Sequence, residues 1–130
     1  MPDPSTGRGC ITPRLLALVI QLQSRGWRLS CWDPHLRNPN SDHPKGRACD
    51  VFPGRIGVRP SIAETARGDA LVTALQASAE QTGIHYLIWY GRIWSLDRDD
   101  EGWRPYNGGG AYDPTSITGG HYDHIHVSVY

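Results

Sequence analysis

The stretch SDHPKGRACD, Ser41 to Asp50, sets a histidine and an aspartate seven positions apart, with Gly46 and Ala48 between them. Near the C-terminus, HYDHIHVSV (His121 to Val129) places three of the six histidines and Asp123 within six residues. Two imidazole nitrogens and one carboxylate oxygen are a ligand set that zinc accepts for catalysis, because a fourth position stays open for water. Such a site brings the pKa of the bound water to roughly 7 and polarises a carbonyl oxygen, which is the chemistry of hydrolysis. Neither stretch suffices alone, so the elements that carry them must bring them together.

On a strand, alternate side chains share a face. In the last strand, read as HIHVSVY from His124, the side chains of His124, His126 and Ser128 point one way, and those of Ile125, Val127 and Val129 point into the core. In RACDVF (Arg47 to Phe52) the same parity puts Ala48 and Asp50 on one face and Cys49 and Val51 on the other. If the two strands are neighbours, Asp50 and His126 converge, and His43 reaches back from the preceding loop. His35 and His85 lack partners at ligand spacing and read as ordinary loop and strand-entry residues, while Trp89 and Trp94 read as packing.

The remaining elements follow from periodicity and breakers. Residues 1–10 read as a flexible leader and 11–130 as one domain. Thr12 caps a first helix with Pro13 at its first position and Leu15, Leu16, Val19 and Leu22 on one face, ending at Gly26. A strand is expected over Trp27–Trp32, a second helix from the Ser61 cap through Leu71, Leu75 and Ala79 to Gly83, and a hairpin over Ile84–Ser95 turning at Gly91-Arg92. Leu96 to Gly120 reads mostly as loop. The pattern predicts an α+β domain whose central antiparallel sheet is flanked by helices.

Composition narrows the function classes. A chain of 130 residues can bury a core without a metal, so a metal here would serve chemistry. Lys plus Arg and Asp plus Glu both number 13, leaving no basic field of the kind nucleic-acid binding requires. The longest apolar run near the N-terminus, Leu15 to Ile20, is too short for a membrane span. Cys10, Cys31 and Cys49 have no C-x-x-C spacing, which excludes a zinc ribbon and leaves room for one disulfide and a free thiol. Parity turns Cys49 into the core, and Cys10 in the leader should be accessible.

Taken together, Ser41-x-His43-x-x-Gly46-x-Ala48-x-Asp50 and His124-x-His126 resemble the signature of the M15-type zinc peptidases. This is the group of D-alanyl-D-alanine carboxypeptidases and murein endopeptidases that shares its fold with the hedgehog signalling domain. With the segments YLIWYGRIWS and GWRPY the chain resembles, more narrowly, an actinobacterial extracellular domain of that group, and the likeness covers residues 41–130.

The resemblance implies one Zn²⁺ held by His43, Asp50 and His126, and cell-wall peptides as substrates. Most members carry a Glu three residues before the last ligand as general base, where this chain has Asp123. The endopeptidase branch instead has His-x-x-His-x-His, which matches His121, His124 and His126. The expected assignment is His124 as acid–base group, Asp123 as the second candidate and His121 as an orienting or transition-state group. Ser41 and Arg37, the only arginine in the loop before His43, are the substrate-contact candidates, and the choice between carboxypeptidase and endopeptidase stays open. The expected protein is a monomeric peptidoglycan peptidase of the cell exterior or wall, its Met1 beginning a domain cut from a longer secreted chain. The alternative is a zinc-containing cell-wall-binding module with weak or no hydrolysis.

Overall fold

The computed structural model describes residues 1–130. Its elements are α1 (Pro13–Ser24), β1 (Arg28–Ser30), β2 (Ala48–Phe52), α2 (Ile62–Ala77), α3 (Ala79–Thr82), β3 (Ile84–Trp89), β4 (Arg92–Ser95), a 3₁₀ segment (Leu96–Glu101), β5 (Arg104–Pro105) and β6 (Ile125–Val129). The strands form one antiparallel sheet in the order β1-β2-β6-β3-β4-β5, so the C-terminal strand runs down the middle. The expected α+β architecture is present.

Helix α1 forms as its sequence dictates. Thr12 Oγ1 accepts from the Leu15 amide at 3.3 Å, Pro13 occupies a position where no amide is needed, and Leu15, Leu18, Val19 and Leu22 are buried at i, i+3, i+4 and i+7. Ser61 and Glu64 close a reciprocal capping box on α2. The second helix is interrupted at Ser78 and resumes as α3, which ends at left-handed Gly83. Gly68 sits inside α2 because a Cβ there would meet the Trp89 ring at 2.4 Å, so the missing side chain lets helix and sheet close up.

These helices cover one face of the sheet. The core joins α1 and α2 to Val51, Leu87, Trp89, Trp94, Ile125, Val127 and Val129. Each such large apolar side chain contributes roughly 1.5–3 kcal/mol over leaving it exposed. Trp89 and Trp94 are therefore packing residues, as expected, and their indole N–H groups reach Asp69 and Asp99, each at 2.9 Å. The opposite face carries the polar side chains.

Three local expectations are corrected. Residues 1–10 are folded against the domain: Pro2 bridges Cys10, and the buried Asp3 carboxylate accepts from Ser5, Thr6 and the Trp32 amide. A buried carboxylate needs several donors, and this segment supplies them locally. The β3–β4 turn lies one residue earlier than expected, at Tyr90-Gly91, with Trp89 paired to Arg92. Both turn residues have positive φ, 53° and 75°, matching the twist of a type I′ hairpin and leaving Arg92 to begin β4. The 96–120 region is not all loop, since it contains the 3₁₀ segment and β5.

Cys31 and Cys49 form a disulfide joining the end of β1 to β2, and Cys10 is a free, exposed thiol. The bond is consistent with an extracellular location, because disulfides persist in oxidising compartments. No helix is long and apolar enough to cross a membrane.

Candidate metal centre

Strands β2 and β6 pair with Asp50 directly opposite His126. The preceding loop delivers His43, where Gly46 makes the tight return: its φ is 70°, and a Cβ would lie 2.5 Å from the Cys10 carbonyl oxygen. The ligand-capable atoms of His43, Asp50 and His126 all lie within 4.8 Å of one another. This is the trio that parity and the motif spacing anticipate.

The three imidazoles around Asp50 are each tied at their outer nitrogen. His43 Nδ1 donates to the Cys31 carbonyl at 2.6 Å, His124 Nδ1 donates to Asp123 Oδ1 at 2.7 Å, and His126 Nε2 bonds Ser128 Oγ at 2.8 Å. Their remaining nitrogens surround Asp50 Oδ1, at 3.3 Å from His43 Nε2, 3.4 Å from His126 Nδ1 and 3.6 Å from His124 Nε2. That oxygen is buried and makes no hydrogen bond. A buried carboxylate oxygen ringed by nitrogens, with nothing bonded to it, suits a shared cation. The two-nitrogen, one-oxygen donor set of His43, Asp50 and His126 fits zinc.

Electrostatics agree with this packing. Burial alone would raise the Asp50 pKa, but the charges of His124 and His43 hold it well below the carboxylate range. Burial pulls His43 down, and Asp50 with the Cys31 carbonyl overrides it, raising the imidazole to about 9. Burial also opposes the charged form of His124, which Asp50 and Asp123 nonetheless raise. His121 goes the other way: burial, then the neighbouring His124 and His126, push it down to about 3, so it is neutral near pH 7.

Asp123 is fully committed. Besides His124, it accepts from the Gly57 amide at 2.6 Å and Thr118 Oγ1 at 2.8 Å, and these bonds outweigh its burial to lower its pKa to about 2. It touches the centre only through His124. His121 stands beside His124, ring centroids 4.3 Å apart, on a backbone with φ 59° held by a 2.8 Å bond from the Tyr90 amide to its carbonyl. The hairpin turn thus positions His121.

A cavity of about 350 Å³ opens over the centre. Ser41 lies on its wall with Oγ accepting from the His43 amide at 3.2 Å. Arg37 is exposed and lies off the wall, which carries no lysine or arginine. The loop turns the Arg37 side chain to solvent, outside the cavity lining.

Two wall residues escaped the sequence reading. His35 stacks on His43 with centroids 4.5 Å apart and planes 3° from parallel, though its spacing suggested no partner. Tyr86 stacks on His126 at 5.3 Å and donates to Asp42 at 3.2 Å, with burial raising its pKa to about 12. The signal for Tyr86 was strand parity within β3, which needed the β3–β6 register to be read.

Over residues 7–122 the chain matches the family model described as VldE, C-terminal domain. It belongs to that family. The VldE C-terminal domain match includes His43, Asp50 and His121 and ends before His124 and His126. No curated protein and no solved structure matches this member of the VldE C-terminal domain family.

Proposed function

We propose that the protein is a zinc-dependent peptidase of the M15 type acting on peptidoglycan peptides. The observation that carries this reading is the unbonded Asp50 Oδ1 at the meeting point of His43 Nε2 and His126 Nδ1, with a third histidine beside it and a cavity above. A zinc ion held by His43, Asp50 and His126 would lower the pKa of a bound water to roughly 7 and polarise the scissile carbonyl.

The protein's own residues supply the rest. His124 is the acid–base group: its Nδ1 proton is fixed on Asp123, so Nε2 is free to take a proton from the attacking water and return it to the leaving amine. Asp123 holds the tautomer and orientation, as a carboxylate does for a catalytic histidine. Neutral His121 presents an uncharged imidazole on the cavity wall, suited to orienting the substrate or donating to a developing oxyanion. Ser41 fixes the loop that carries His43.

One observation favours a second reading. The carboxylate nearest the ligands in sequence, Asp123, spends all its bonds on Gly57, Thr118 and His124, leaving no carboxylate to act directly as base. A zinc-containing binding module would need nothing more. The test is incubation of the zinc-loaded protein with purified peptidoglycan and mass analysis of the soluble products. Zinc-dependent release of peptide fragments supports the peptidase, and tight sedimentation with the wall without any fragments supports the module.

A further inference from the structure

The cavity over the centre has no lysine or arginine on its wall, yet cell-wall stem peptides carry carboxylates that need a partner. The cations lie next door. A second groove, of about 320 Å³, is lined by Arg28, Arg55 and Arg67 together with Phe52, Pro53, Gly54, Gly26 and Glu64. Phe52 belongs to the walls of both cavities.

The sheet places this groove in line with the proposed acid–base group. Arg28 is paired with Phe52 across β1 and β2, so the two share a face. Phe52 follows the Val51–Ile125 pair, and its ring lies 6.0 Å from that of His124. Two strand spacings of roughly 4.8 Å put the Arg28 backbone about 10 Å from that of His124. That is the span of two to three extended peptide residues.

Two of the arginines are held in place. Arg28 donates to the Gly54 carbonyl at 2.9 Å, and the Arg67 guanidinium lies 3.8 Å from the Trp27 ring centroid. Arg55 is exposed and carries no salt bridge within 4 Å. The groove's one acid, Glu64, uses Oε1 to accept from the Ser61 amide. Three guanidinium groups against one engaged carboxylate leave the groove cationic, and guanidinium is the group best matched to a carboxylate.

We propose that Arg28, Arg55 and Arg67 form a carboxylate-binding subsite, which anchors an acidic residue of a peptide whose scissile amide lies over His43, Asp50 and His126. The inference deepens the peptidase reading and rests on it for the position of the scissile bond. It makes the enzyme a reader of acidic side groups along the peptide, outside the catalytic cavity.

The experiment is calorimetric binding of two probes to the zinc-loaded protein: a peptidoglycan stem tetrapeptide with free carboxylates, and the same peptide fully amidated. The acid form should bind about tenfold more tightly, the worth of one charge-assisted contact. Added salt should shrink the preference. Arg28→Gln combined with Arg55→Gln should abolish the preference while leaving binding of the amidated form unchanged. Because Arg67 packs on Trp27, Arg67→Lys serves there, retaining the charge and part of the preference. Equal binding of the two probes by the unmodified protein, or an undiminished preference in the double variant, overturns the subsite. Fragment release is measured in parallel: a protein that shows the arginine-dependent preference but cleaves nothing keeps the subsite and loses the peptidase reading.

Discussion

His43 donates its Nδ1 proton to the carbonyl of Cys31 at 2.6 Å, so one cysteine of the disulfide orients a member of the candidate metal-binding triad. The other, Cys49, directly precedes Asp50. A single covalent bond therefore ties together the supports of two candidate ligands that the chain contributes from a loop and a strand.

Reduction of that bond should weaken zinc binding. A Cys31→Ser, Cys49→Ser variant, or the protein in excess dithiol, is expected to bind zinc about 10- to 100-fold more weakly, the cost typical of losing a group that orients a ligand. It should also lose about 3 kcal/mol of folding stability, since the cysteines are 18 residues apart. Chelator competition and thermal melts measure the two effects. Unchanged zinc affinity in the reduced protein would show that the Cys31 carbonyl holds its place without the bond.

Zinc binding should release protons at neutral pH. In the metal-free protein the His43 pKa is raised from 6.5 to about 9, so its imidazole is charged at pH 7.5 and must lose a proton to coordinate. The sign for stability follows: a raised folded-state pKa gives stabilisation that is fully present below 6.5 and is lost as pH rises through about 9. The metal-free protein should thus lose stability between those values. Calorimetry in buffers of different ionisation enthalpy reads the proton count, and no release at pH 7.5 would contradict the charged state of His43.

The division of labour between His124 and Asp123 is open to direct comparison. His124→Ala should retain zinc and lose roughly 10²- to 10⁴-fold in turnover. Asp123→Asn should also retain zinc and lose less, because the asparagine can still hold the imidazole through its carbonyl oxygen. An inactive Asp123→Asn beside an active His124→Ala would reverse the assignment.

The Asp123 carboxylate should also contribute to acid stability. Its pKa is lowered from 3.8 to about 2, so its contribution is present above 3.8 and lost as pH falls through 2. Asp123→Ala would remove the acceptor of the Gly57 amide and the Thr118 hydroxyl, both on exposed residues that water can reach, at about 0.5–1.5 kcal/mol for each hydrogen bond lost. Acid unfolding of the two proteins measures the difference, and superimposable curves would deny Asp123 this role.

The parts of the site legible in the sequence are those governed by local periodicity. Asp50 and His126 could be placed on one face because their strands alternate apolar and polar residues, and a period of two leaves no ambiguity once a face is buried. Thr12 and Ser61 announced their helices by cap chemistry alone. Other features depended on contacts between distant segments. The bonds that occupy Asp123 come from Gly57 and Thr118, in two loops whose approach no spacing encodes. His35 stacks on His43 across a Pro- and Asn-rich loop, and Tyr86 meets His126 only through the β3–β6 pairing. The turn at Tyr90-Gly91 was misplaced by one residue because tyrosine seldom adopts positive φ, a cost accepted here where the turn docks on Gly120 and His121.

Zinc content measured by elemental analysis after dialysis reads out the proposed ligand set of His43, Asp50 and His126. The unmodified protein should retain one zinc per chain. His43→Ala, Asp50→Ala and His126→Ala should each retain little or none while keeping the circular-dichroism spectrum of a folded domain, because the apolar core lies on the other face of the sheet. Full zinc occupancy in any one of the three variants, or none in the unmodified protein at pH 7.5, would contradict ligation by these three residues.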